Sequence, residues 1–149
     1  HVDHHCYALL PIIIEASGLS IEQCLEKYLK AYLSPLLHCF YLFDLVFMPH
    51  GENIIMVLED HIPVKALLKD ITEEACILSP DVVLPEHLKR MYAPVPEDVK
   101  LLSIFTDIFD GFFRFMGHIL EEHANFSEVK FWKVVAANIQ EYQERYPQH

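Results

Sequence analysis

The chain has 149 residues, 52% of them apolar and 12% aromatic, with 4 glycines, which fits one core-forming domain rather than a disordered chain. It carries 11 Lys and Arg against 22 Asp and Glu, a formal net charge of −11, and the bases are scattered. Nucleic-acid binding, which needs clustered cations, is therefore disfavoured. So is a membrane span, because the longest apolar run, Leu36 to Met48, is interrupted by His38 and Asp44.

Residues from His5 to Ala16 read as a first helix, with Leu9, Leu10 and Ile12 to Ile14 apolar, Pro11 near its start and Gly18 as its stop. Ser20 with Gln23 forms a capping box. The helix that follows places Ile21, Cys24, Leu25, Tyr28, Leu29, Tyr32, Leu33, Leu36, Leu37 and Phe40 at helical spacing. The pattern continues to about Phe47, with Pro35 expected to kink the helix without ending it. The period then shortens. Asn53–Leu58 and Val64–Leu68 are short and β-branched, with 59–63 between them, so a hairpin is predicted. Residues 71–96 contain Pro80, Pro85, Pro94 and Pro96 and read as a long loop with a short helix at Pro85–Met91.

Two more helices are predicted. Glu97–Glu122 carries Val99, Leu102, Phe105, Ile108, Phe109, Phe112, Phe113, Met116, Ile119 and Leu120, and its Gly111 and Gly117 permit close approach by another element. Ser127 caps the last helix, which runs to about Arg145 with Val129, Trp132, Val135, Ala136 and Ile139 turned inward. The expected fold is mainly α with one small antiparallel β-hairpin. Cys6, Cys24, Cys39 and Cys76 form no C-x-x-C motif and follow no signal peptide, so reduced thiols and a cytoplasmic setting are expected.

The chemistry concentrates in His50–Asp70, HGENIIMVLEDHIPVKALLKD. A hairpin brings its two open ends together. Asn53 and Asp70 should therefore meet, with His50 and Glu52 on the turn leading in. Amide and carboxylate oxygens are the hard ligands that Mg²⁺ prefers beside phosphate oxygens, and His50 with Lys69 suits an anionic phosphate. Kinase-like phosphotransferases use the same logic, an Asn and a hairpin-linked Asp on metal. However, they carry a catalytic Asp between His and Asn, where this chain has only Gly51-Glu52. Polar residues at hairpin ends are also commonly nothing more than solvated caps.

The motifs Tyr32-Leu33-Ser34-Pro35-Leu36-Leu37, His50-Gly51-Glu52-Asn53, Val57-Leu58-Glu59-Asp60-His61-Ile62-Pro63-Val64 and Lys69-Asp70 together resemble the siderophore synthetases that work without a nonribosomal peptide synthetase, the aerobactin-synthetase type. The resemblance extends over most of the chain from about residue 8. It implies an ATP-dependent ligase that adenylates a citrate-like carboxylate with Mg²⁺ and ATP, releases pyrophosphate, and condenses the product with an amine or alcohol. It implies His50 on ATP phosphates and Asn53 and Asp70 at the Mg²⁺, with Glu52 and Lys69 alongside. Glu52 stands where the family has Gln, Lys69 where it has Arg, and His61 where it has a turn Gly. A homodimer of the full-length protein also follows from the resemblance. The family's Ser…Arg-Thr nucleotide segment has no match here. Residues 1–149 are thus expected to be one domain, an excised C-terminal portion of a longer synthetase, inactive alone. A non-catalytic helical interaction domain is the alternative.

Other candidates read more plainly. His4, His5 and Cys6 are adjacent and do not converge on one ion. His118 and His123 sit at a helix end with no third ligand evident. Phe105, Phe109, Phe112 and Phe113 form a stripe best explained as core, and Glu121, Glu122, Glu141 and Glu144 as solvated faces.

Overall fold

The computed structural model describes residues 8–47 and 53–147. The first helix, α1 (Leu9–Ser17), ends on Gly18, whose positive φ of 69° lets its N–H reach the Glu15 carbonyl. The expected capping box follows: Ser20 Oγ accepts from the Gln23 N–H, and the Gln23 side chain accepts from the Ser20 N–H. It starts α2 (Ile21–Phe43), the central helix, which passes through Pro35 without ending. Leu29, Tyr32 and Leu33 on its inner face are almost completely buried.

The apolar pattern predicts helix up to Phe47, but α2 stops four residues earlier. Asp44 adopts the left-handed conformation (φ 50°), and its N–H caps Cys39 and Phe40 carbonyls. Asp tolerates this conformation better than most side chains. The chain leaves in extended form as β1 (Leu45–Val46), which pairs antiparallel with β4 (Cys76–Ile77). This second strand pair lies inside segments predicted as helix and loop. Two-residue strands carry too little sequence pattern to be seen.

The predicted hairpin is present as β2 (Ile54–Glu59) and β3 (Ile62–Leu68). Its loop is two residues, not five. Asp60 and His61 both have positive φ (49° and 66°), the requirement of a tight primed turn. The register shifts between Val57 and Leu58, where Val64 is the extra residue and the buried Pro63 needs no ladder N–H. Ile54, Met56 and Leu68 pack on the core, while Ile55, Val64 and Leu67 face outward.

Residues 71–96 are more ordered than a loop. They contain α3 (Ile71–Glu74), β4 and a 3₁₀ segment at Glu86–Met91. Leu78 N–H bonds the Asp44 carbonyl at 2.8 Å, Ala93 N–H bonds Ile77, and Tyr92 OH bonds the Pro80 carbonyl. Lys100 also reaches back, forming an ion pair with the Asp44 carboxylate.

The long helix predicted over 97–122 is composite. A 3₁₀ turn (Glu97–Val99) and a single turn α4 (Leu102–Ile104) lead into a π-helical stretch (Phe105–Phe113), then α5 (Arg114–Ala124). Gly111 sits in the wide-turn region, where a Cβ would lie 3.0 Å from its own helix's Thr106 carbonyl oxygen. Among the described residues no other element comes within 4 Å of that position, contrary to the expectation. Gly117 does admit one, since a Cβ there would meet the Phe131 ring at 3.1 Å. The aromatic stripe is mainly core: Phe113 is fully buried against Tyr32 (5.6 Å between ring centroids) and Phe131 (6.0 Å), while Phe105 is half exposed.

The closing helix, α6 (Glu128–Arg145), starts at Ser127, whose Oγ accepts from Lys130 N–H. Its buried stripe is Phe131, Val135, Asn138 and Tyr142. Val129 and Ala136, expected inside, are exposed. An asparagine in the stripe hides the true apolar phase from a reading based on hydropathy.

Two outcomes are expected. Gly117→Ala should lower stability by about 1–3 kcal/mol in urea unfolding, because the buried Phe131 ring has to move to admit the methyl. The hydrogen bond that Lys100 donates to the Asp44 carboxylate holds the ammonium above its ordinary pKa of 10.5, with partial burial opposing it. A raised cation pKa stabilises fully below the unfolded value and is lost as pH rises through the folded one. The advantage of wild type over Lys100→Met should thus persist at pH 8 and disappear above the ordinary lysine range, as read by paired denaturation curves.

Candidate functional site

Strand pairing brings the hairpin's open ends together as expected. Ile54 pairs with Leu68, and beyond them Lys69 N–H donates to the Asn53 carbonyl at 3.0 Å. Asn53 is 6% exposed, unusual for an amide, and lines a small pocket with Phe47, Leu68, Lys69, Ile71 and Glu74. Such burial signals a side chain held in one orientation, because amides are seldom removed from water without hydrogen bonds.

Asp70 occupies a different environment. It adopts the left-handed conformation (φ 55°) at the start of α3, does not cap that helix with its side chain, and is solvent exposed. Its carboxylate lies 3.3 Å from Lys69 Nζ, and both side chains are about half exposed. Asn53 therefore faces inward, and the Lys69–Asp70 pair is presented at the surface of the same end. His50 and Glu52, the other two expected site residues, lie outside the described residues. So do His4, His5 and Cys6.

Sequence reasoning missed Glu74. It follows α3's first turn into the pocket beside Asn53, and its Oε2 is sealed from solvent. Its signal is faint, because Glu73-Glu74 looks like any solvated acidic pair. A second miss is at the α5–α6 corner. His118, Glu121 and Glu128 bring ligand atoms within 4.8 Å of one another. The expected partner for His118, His123, is not in that group; both histidines instead lie 3.7 Å from Glu122.

The family model described as "Ferric iron reductase FhuF-like transporter" matches residues 22–149. The chain belongs to this FhuF-like family. Over 148 residues, 99% of the FhuF-like chain, it is 49% identical to putrebactin synthase of Shewanella sp. (strain MR-4). It is 27% identical over 144 residues to aerobactin synthase of Vibrio mimicus. In each case it spans 24% of the relative's length. Among solved structures, aerobactin synthetase IucC from a hypervirulent pathotype of Klebsiella pneumoniae superposes on 93% of the chain with a TM-score of 0.84 at 24% identity, covering 26% of that protein. The mainly helical fold with small antiparallel strand pairs is thus shared with a siderophore synthetase, and the relatives by sequence are siderophore synthetases, as the motifs around residues 32–70 lead one to expect. Among the described residues, no helix is long and apolar enough to cross a membrane.

The contrast between the two hairpin-end residues gives a test. Asn53→Ala should destabilise the chain by about 1–3 kcal/mol, the usual loss for a packed, buried polar group. Asp70→Asn should change stability by less than about 0.5 kcal/mol, since it breaks only an exposed ion pair. Thermal or urea unfolding of the two variants separates a residue that builds the hairpin end from one that is merely displayed there.

Proposed function

We propose that this FhuF-like chain is the C-terminal part of an ATP-dependent siderophore synthetase, and that the open end of its hairpin supplies one side of a Mg²⁺–ATP site. The observation that carries this reading is the 49% identity along 99% of the chain to a protein named as a siderophore synthase. The family description speaks of a reductase and transporter. The synthases match along nearly the whole chain, and the synthetase reading is adopted for that reason.

The residues present suit that role. Asn53 offers an amide oxygen and Asp70 a carboxylate, with Glu52 adjacent in sequence; these are the hard oxygen donors that Mg²⁺ takes along with phosphate. Lys69, steered by Asp70 at 3.3 Å, and His50 would meet the phosphates. The Mg²⁺ would neutralise phosphate charge when bound. Lys69 supplies charge without the two-pronged grip of an arginine, so it would attract a phosphate without fixing its orientation. In the proposed reaction a citrate-like carboxylate oxygen attacks the α-phosphorus of ATP and pyrophosphate leaves. An amine or alcohol then attacks the acyl carbon and AMP leaves, giving an amide or ester. The rest of the nucleotide site, the adenylation itself, the cytoplasmic location and homodimer formation belong to the longer protein in this reading, whose relatives are about four times the length of this chain.

The test compares the 149-residue chain with the full-length synthetase in citrate-dependent ATP–pyrophosphate exchange. The chain alone is expected to show none. In the full-length enzyme, Asp70→Ala should lower turnover by about 10²-fold or more while leaving folding intact. Exchange by the short chain would overturn the division of the site, and unchanged turnover of Asp70→Ala would remove that residue from the mechanism.

A further inference from the structure

Away from the hairpin, α2 and α6 leave an open cleft at the level of Pro35. Lys30, Ser34 and His38 line it from α2, and Asn138, Glu141 and Arg145 from α6. Its cavity volume is about 180 Å³, smaller than a typical drug-sized pocket and on the scale of a small ion.

Three features of this cleft converge. The first is Asn138, 6% exposed and placed in a stripe otherwise formed by Phe131, Val135 and Tyr142. An amide at such a position costs stability unless its polar atoms are engaged. Ser34 Oγ donates to Asn138 Oδ1 at 3.4 Å. The other half of the amide, Nδ2, has no acceptor among the described residues, and the residue borders the cleft. The residue as a whole is 6% exposed, and it lines the cleft.

The second feature is charge. Glu141 holds two cations at once: Lys30 Nζ at 3.2 Å from Oε2 and Arg145 Nη2 at 2.9 Å from Oε1. One carboxylate against an ammonium and a guanidinium leaves a local positive excess, in a chain whose formal net charge is −11. The third feature is the wall. His38 Nδ1 and Tyr142 OH are 3.2 Å apart, and the His38 and Tyr146 rings lie 5.1 Å apart, which gives the cleft a firm aromatic side. Donors dominate, and the one carboxylate is already engaged by both cations. A cationic ligand would meet two like charges at the rim, whereas an anionic oxygen would find an amide, an ammonium and a guanidinium.

We propose that the α2–α6 cleft binds a small oxyanion, a carboxylate or a phosphate, with Asn138 Nδ2 donating from the floor and Lys30 and Arg145 closing on it from the rim. The site is separate from the hairpin end and does not depend on the function assigned there. Glu141 acts as the positioning residue that holds the two cations on the cleft's edge.

The test is an NMR titration of the ¹⁵N-labelled 149-residue chain with sodium citrate and, in parallel, with sodium phosphate, both balanced with sodium chloride to constant ionic strength. Saturable shifts are expected at the Asn138 side-chain NH₂ and at amides around residues 34–38 and 138–146. The anion that saturates at lower concentration identifies the source of the charge. Asn138→Asp should weaken binding at least about tenfold by replacing the donor with a negative charge, and Arg145→Gln should weaken it about five- to tenfold. Lys89→Gln, on the exposed 3₁₀ segment, should leave it unchanged. Arg145 is exposed at the helix end, so its variant decides the matter even if Asn138→Asp fails to fold. The proposal is overturned if neither anion gives a saturable shift, if chloride alone reproduces the shifts, or if Arg145→Gln binds as tightly as wild type.

Discussion

The left-handed turn at Asp44 is the constraint on which the rest of the architecture hangs. By leaving the right-handed helical region there, the chain ends α2 and enters β1 in a single residue. The same residue then serves as a junction. Its carbonyl accepts from Leu78, which aligns β4 with β1, and its carboxylate holds Lys100, which anchors the entry to the composite helix. Three segments distant in sequence meet at one side chain and one peptide group. The hairpin packs on α2 through β3, and that contact sets where Asn53, Lys69 and Asp70 are presented.

Around that junction the core is an aromatic and aliphatic wedge between α2, the composite helix and α6. Tyr32, Phe113 and Phe131 contact one another in sequence across the three helices, and Gly117 removes the side chain that would hold α5 and α6 apart. Close packing of this kind tolerates little change in volume. It leaves α2 with two functional aspects: one side supports the hairpin, and the other forms the polar cleft with α6. The apolar outer face of the hairpin, Ile55, Val64 and Leu67, stays exposed in a chain that spans about a quarter of its relatives.

The hairpin end divides labour between a buried and an exposed group. Asn53 is sealed and held by its surroundings, as a residue should be if its orientation matters. Lys69 and Asp70 sit in water, where their attraction is weak and their geometry adaptable. A site assembled from one rigid and one displayed component is well suited to being completed by other parts of a larger protein.

Much of this was legible in the sequence because it rests on local rules. Helical spacing located α2 and its buried face, Ser20-Gln23 and Ser127 located two helix starts, Gly18 located a stop, and the change of period located the hairpin. The pairing of strand ends led to the expectation that Asn53 and Asp70 meet; the structure puts them at the same end, with Asn53 buried and Asp70 exposed. What escaped depended on partners far away in the chain. β1 and β4 exist only because two short segments find each other across the Asp44 junction. The π-helical turns around Gly111 are not encoded in the apolar spacing, which reads the same for an ordinary helix. The buried phase of α6 was hidden because Asn138 is polar, and Glu74 looked like a solvated acid until α3 turned it toward Asn53. The sequence by itself determined which elements form and which residues could carry chemistry, since those depend on neighbours three or four positions away. Only the tertiary structure decided which of those residues are buried, paired or aimed at a cleft, because those properties are set by elements brought together from opposite ends of the chain.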